Sequence, residues 1–85
     1  MKYEKNIFVH LRVISGKTYA LLNNDVYLFG EIEELIWKLV NNERTDEQIA
    51  SIVSEQYNIT FDAAYSDVKD YLTELTNAKM IELVV

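Results

Sequence analysis

The apolar residues of this chain change their period once, at Gly30, and that change separates a sheet-forming half from a helix-forming half. Upstream, Ile7, Val9, Leu11 and Val13 alternate with Phe8, His10 and Arg12, the period of two that a strand shows when one face meets a core. Ser15-Gly16 follows as a turn, because glycine accepts the positive φ of a tight hairpin. Thr18-Tyr19-Ala20-Leu21-Leu22 forms a second strand, Asn23-Asn24-Asp25 a second turn, and Val26-Tyr27-Leu28-Phe29 a third strand, rich in aromatic and β-branched types. Residues 6 to 29 therefore read as a three-stranded antiparallel meander whose last strand lies at an edge.

Downstream of Gly30, Ile32, Leu35, Ile36, Leu39 and Val40 fall at i, i+3, i+4, i+7 and i+8, the stripe of a helix packed on one side, and Asn41-Asn42 ends it. Thr45-Asp46-Glu47-Gln48 is a capping-box pattern that opens a second helix, with Ile49, Ile52, Val53 and Tyr57 turned inward. Asn58-Ile59-Thr60 interrupts it. Thr60 caps a third helix with Asp62 in its first turn, where a carboxylate meets the positive end of the helix. Phe61, Ala64, Tyr65, Val68, Tyr71, Leu72 and Leu75 form its apolar stripe. Asn77-Ala78-Lys79 terminates it, and Met80 to Val85 reads as a closing strand. The fold class that follows is α+β: a three-stranded antiparallel N-terminal sheet, three helices and a short C-terminal strand in a single domain over residues 1–85.

Composition narrows the chemistry. The chain has no cysteine and a single histidine, His10, so a thiolate or histidine-rich metal site and a cysteine nucleophile are unavailable. His10 has no serine or second histidine beside it and reads as a surface residue. Glu33-Glu34 point to different sides of a helix and make no acid/base pair. An enzyme is not expected, nor a cofactor. No apolar run approaches the roughly 20 residues of a membrane span and no signal-peptide core follows the N-terminus, which points to a cytoplasmic protein without a membrane partner.

Strands flanking three helices, with the short Arg44-Thr45 turn between the first two helices, match a winged helix-turn-helix, for which DNA binding is the obvious function. Charge opposes it. The third helix carries Asp62, Asp67, Asp70 and Glu74 against Lys69, the second carries Asp46, Glu47 and Glu55 with no cation, and the chain as a whole is at −6. Duplex binding draws on phosphate neutralisation by Lys and Arg, so either helix would repel a groove it approached.

The ordered combination of Tyr19-Ala20-Leu21-Leu22, Val26-Tyr27-Leu28, Ile36-Trp37, Arg44-Thr45-x-x-Gln48-Ile49-Ala50 and Asp67-Val68-x-x-Tyr71-Leu72-x-x-Leu75 resembles the PqqD-like family, the precursor-peptide recognition elements of ribosomal-peptide (RiPP) modification pathways. The match spans residues 7 to 84. It departs from the family at Leu28-Phe29-Gly30-Glu31, where members often place an Asn that caps the first helix. The resemblance implies a non-catalytic protein, either a stand-alone recognition protein as in lasso-peptide pathways, the preferred reading, or a peptide chaperone as in pyrroloquinoline-quinone biosynthesis, that binds the leader of a precursor peptide and presents it to a modifying enzyme such as a peptidase, cyclase or radical enzyme. It also implies that the leader adds as a strand beside the third strand and lies in a groove against the third helix.

The physics of an edge strand permits that role: an extended peptide satisfies free amide and carbonyl groups while alternate side chains fill pockets. At about 1 kcal/mol net per backbone hydrogen bond and about 1.5–3 kcal/mol per buried apolar anchor, four bonds and two or three anchors leave roughly micromolar to nanomolar binding after the cost of association. The candidate peptide-binding residues are Val26, Tyr27, Leu28 and Phe29 on the strand and Ala64, Asp67, Val68 and Tyr71 on the helix, with Tyr65 and Lys69 on its flank. Alternation sends about half of the strand residues to the core. Trp37 reads as an aromatic packed under the closing strand, with an interface anchor as the other reading. The rival functions are a winged-helix DNA-binding regulator and a small protein-protein interaction or dimerisation domain.

Overall fold

The computed structural model describes residues 1–84. Its elements run β1 (Lys2–Lys5), β2 (His10–Ile14), β3 (Lys17–Leu22), β4 (Asp25–Phe29), α1 (Glu31–Leu39), α2 (Asp46–Tyr57), α3 (Phe61–Asn77) and β5 (Ile81–Val84). The α+β order holds, with the meander β2-β3-β4 forming one antiparallel sheet. Val85, the last residue of the expected closing strand, lies outside the described residues.

Two features of the strands differ from the sequence expectation. The first strand of the meander, β2, begins at His10 and not near Ile7, because the Asn6 side chain accepts the Phe8 amide at 2.9 Å and the Val9 amide turns back to the Asn6 carbonyl. That turn leaves Ile7 and Phe8 83% and 68% exposed. It also frees Lys2–Lys5 to pair antiparallel with β5, with Tyr3 opposite Leu83, in a second two-stranded sheet. The strand β1 escapes a hydropathy reading because Tyr3 is its one residue that packs on the core. The second difference concerns Leu11 and Val13, expected against the core. They remain exposed because β2 pairs with β3 beyond the helices, and Thr18 and Ala20 opposite them fill that layer.

The hairpin geometry follows from the turn residues. Ser15 and Gly16 both take positive φ, 52° and 77°, the primed-turn conformation that suits the twist of two strands. Asn23 takes the second turn at φ 55°. The helices are capped as their sequences require. The Thr45 hydroxyl accepts the Gln48 amide at 3.1 Å and Gln48 Oε1 accepts the Thr45 amide at 2.8 Å. The Thr60 hydroxyl accepts the Ala63 amide at 3.2 Å. Gly30 precedes helix α1 as its N-cap, with extended backbone and no side-chain cap.

One core joins the layers. Ala20, Leu22 and Phe29 from the sheet meet Ile36, Trp37 and Val40 of α1, Ile49, Ala50 and Val53 of α2, Ala64, Val68, Leu72 and Leu75 of α3, and Met80 and Ile81. Trp37 is buried with its ring 5.7 Å from that of Phe29, and the Lys5 ammonium lies 5.3 Å from its centre. It therefore serves packing and not an exposed interface. Phe61, placed on the inward stripe by spacing, is instead 43% exposed and stacks on Tyr65 with ring centres 5.5 Å apart.

Candidate functional site: an open strand edge above a groove

The register of β3 with β4 determines which backbone groups are free. Leu22 pairs with Asp25 across the two-residue turn, then Ala20 with Tyr27 and Thr18 with Phe29. The pair closing a two-residue hairpin exchanges backbone hydrogen bonds, and the exchange recurs at every second residue. Asp25, Tyr27 and Phe29 thus point their amides and carbonyls at β3, and Val26 and Leu28 point theirs outward. Among the described residues, no hydrogen bond outside the strand ladders involves the backbone of Val26 or Leu28. Since β4 ends the sheet order β2-β3-β4, these two residues present two donors and two acceptors to an incoming strand.

Beside that edge runs a groove between β4 and α3. Its floor rests on the contact of Phe29 with Tyr71, ring centres 6.3 Å apart and edge to face. One compartment of about 460 Å³ is lined by Val26, Tyr27, Leu28 and Phe29 with Tyr71, Leu75 and Met80 among its far wall. A second of similar size, about 460 Å³, continues past Leu28 towards α1 and is bounded by Ile32, Glu33, Asp67, Asp70 and Tyr71. Leu28, Tyr71 and Glu74 border both compartments. Burial, with the negative charges of Glu33 and Glu74, pushes the Tyr71 hydroxyl above the usual tyrosine range, so it stays protonated and able to donate.

The residues singled out from sequence divide accordingly. Val26 and Leu28 are 62% and 58% exposed at the edge, whereas Tyr27 is half-buried and Phe29 buried, as alternation requires. Asp67 and Tyr71 line the groove. Ala64 and Val68 are fully buried in the core and border neither compartment. Tyr65 and Lys69 lie on the flank, the Lys69 ammonium 5.5 Å from the centre of the Tyr65 ring, outside both compartments.

Sequence reasoning passed over Glu33, Asp70, Glu74, Ala78 and Met80 as groove residues. Asp70 and Glu74 were within reach, since they follow Asp67 at i+3 and i+7 and share its helix face. Glu33 enters from α1 by tertiary placement, for which the sequence carries no local signal. Asp46 was also missed: it is buried at the start of α2, where Oδ1 accepts the Glu47 amide at 3.0 Å and Oδ2 accepts the Tyr65 hydroxyl at 3.5 Å. Among the described residues, no His, Cys, Asp and Glu side chains group closely enough to hold a metal ion, and no helix is long and apolar enough to cross a membrane.

This is a small α+β domain with an unpaired strand edge facing a helix-walled groove, the class of architecture suited to holding an extended chain. Over residues 18–81 it matches the model of coenzyme PQQ synthesis protein D, and the chain belongs to that PqqD family. No curated protein matches it. Among solved structures it is similar to TbiB1 in complex with the TbiA(beta) leader peptide, with a TM-score of 0.81 and 18% identity over 96% of this chain and 98% of that one. It is also similar to the PqqD truncation of PqqCD from Methylobacterium extorquens, a functional, stand-alone RiPP recognition element, with a TM-score of 0.79 and 22% identity over 95% of this chain and 88% of that one. At these identities the likeness is one of fold.

Proposed function

We propose that this protein is a non-catalytic recognition module that captures the leader segment of a ribosomally made precursor peptide by strand addition to β4 and presents it to a modifying enzyme. The observation that carries this reading is the outward pair Val26 and Leu28, whose backbone groups lie unpaired above an apolar groove. Family membership and the fold shared with a leader-bound protein support it. The leader supplies the missing acceptors and donors, and its alternate side chains enter the groove. A partner enzyme that docks on the complex then meets the core peptide at raised effective concentration. In this reading the domain performs no bond chemistry, works in the cytoplasm, and serves a RiPP pathway, with lasso-peptide maturation as the setting.

The helices beside the hairpin sheet make a winged helix-turn-helix in this reading, put to peptide binding and not to DNA. Helix α3 carries Asp62, Asp67, Asp70 and Glu74 against Lys69, which opposes approach to a polyanion. The test is a titration with a candidate leader peptide, drawn from any short reading frame found beside the gene, followed by residue-resolved amide shifts. Shifts at Val26 to Phe29 and along Asp67 to Glu74 are expected. Saturable binding with shifts elsewhere, or binding to a DNA duplex with no response to the leader, overturns the reading.

A further inference from the structure

The two compartments of the groove differ in charge, and that difference says something about what enters them. The compartment beside Val26 is walled mainly by Tyr27, Phe29, Leu75 and Met80, with Glu74 as its single carboxylate. The one beyond Leu28 has an apolar floor of Ile32 and Ile36 and a rim of carboxylates, Glu33 from α1 with Asp67, Asp70 and Glu74 from α3. Glu33 sits in the first turn of its helix, where the helix dipole favours it. The three acids of α3 have no such support. The ion pairs among the described residues are Lys38 with Glu34 and the N-terminal ammonium with Asp46, so none of the groove carboxylates is paired. Lys69, the only cation of α3, is turned to Tyr65. Asp67 with Asp70 at i+3, and Asp70 with Glu74 at i+4, are like-charge neighbours that weaken the helix carrying them.

These carboxylates are too dispersed to hold a metal ion. A long cationic side chain fits better, because its methylene stem covers Ile32, Ile36 and Leu28 while its head reaches the rim. The free backbone groups of Val26 and Leu28 set the strand that would deliver it. We propose that the segment bound at β4 carries a lysine or arginine seated in the acidic compartment and an apolar residue seated in the neighbouring one. This rests on the leader reading above and specifies its substrate. Direction follows as well. Of the two compartments Val26 borders the apolar one alone, whereas Leu28 borders the acidic one as well and the chain then runs on to Ile32 and Glu33 in its wall, so β4 leads from the apolar side towards the acidic side. Every strand pair among the described residues is antiparallel. A strand added in the same sense brings its cation on the N-terminal side of the apolar anchor, about two residues away on the same face.

The probe is a phage-displayed library of random peptides selected on the full chain, with the binding site of the recovered peptides read from amide shifts. Recovered peptides are expected to shift Val26 and Leu28, to carry Lys or Arg N-terminal to an apolar residue, and to bind more weakly as salt rises. The triple variant Asp67→Lys, Asp70→Lys, Glu74→Lys is expected to reverse the preference, recovering Asp or Glu at that position. If it does not fold by circular dichroism, Asp67→Asn, Asp70→Asn, Glu74→Gln replaces it and is expected to abolish the preference. Peptides that shift Val26 and Leu28 without a cation preference overturn this inference and leave the leader reading standing, as does a variant that recovers the same peptides as the wild type. Peptides that bind away from β4 overturn both.

Discussion

Replacing Val26 by proline isolates the backbone contribution to peptide capture. The Val26 amide points away from β3, so a proline there removes no ladder hydrogen bond, and edge strands accept proline at such positions. Asp25 before it is already extended, which suits a residue preceding proline. The fold is therefore expected to survive, with a loss of about 1 kcal/mol from imposing the proline φ on a strand. Peptide binding loses more. One donor disappears, leaving a peptide carbonyl unpaired, and the ring stands where the incoming backbone approaches. At about 1–2 kcal/mol this is a roughly 5- to 30-fold rise in Kd. Tyr27→Pro is the paired control. The Tyr27 amide bonds Ala20, so proline there breaks the ladder at its middle and is expected to lower Tm sharply or prevent folding. Calorimetric titration of Val26→Pro with the leader, beside circular dichroism of both variants, reads the two effects separately. A folded Val26→Pro protein with unchanged Kd refutes the argument. So does a Tyr27→Pro protein as stable as Val26→Pro, because the alternation of free and bonded amides along β4 would then be misassigned.

Further outcomes follow from the same geometry. Leu28→Asp, placing a carboxylate between two compartments that both use Leu28, is expected to weaken leader binding at least tenfold, about 1.4 kcal/mol, in a fluorescence titration, with the melting curve as the check on folding. Asp46→Ala removes a buried carboxylate that accepts from Glu47 and Tyr65, and thermal unfolding should report a loss of about 1–3 kcal/mol; an unchanged Tm would show those contacts to be idle. Thr45→Ala breaks the capping box and is expected to cost about 1 kcal/mol in denaturant unfolding. Tyr71 is held above the ordinary tyrosine pKa, so the unfolded chain loses this proton first. Stability from this group is complete below about pH 10 and falls as pH rises towards the folded value. Tyr71→Phe is expected to flatten that alkaline decline in urea unfolding followed against pH, and an unaltered slope would count against it.

Much of this architecture is written in local residue choice. The two Thr caps, the Ser15-Gly16 turn and the change of period at Gly30 place α1, α2, α3 and the meander, because each acts within a few residues of itself. The strand β1 is not legible in this way. Lys2-Tyr3-Glu4-Lys5 becomes a strand only because β5 lies beside it, and the Asn6 side chain ends it by taking the Phe8 amide. The exposure of Leu11 and Val13 likewise depends on how far the hairpin projects past the helices, a tertiary fact. At the groove, Val26, Leu28, Asp67 and Tyr71 could be found from alternation and helical spacing. Ala64 and Val68 share a helical row with Tyr71 by spacing but turn into the core with Leu72 and Leu75, so the groove-facing row starts at Asp67 and continues through Asp70 and Glu74. Glu33 reaches the same place from another helix, and no pattern within α1 announces it.

The most direct test of strand addition is residue-resolved amide hydrogen exchange with and without the leader peptide. Without it, Tyr27 and Phe29 are expected to exchange slowly while Val26 and Leu28 exchange freely; with it, Val26 and Leu28 become protected and β2 is unchanged. Slow exchange at Val26 and Leu28 in the free protein, or protection by the leader that falls on Leu11 and Val13 instead, would contradict the account.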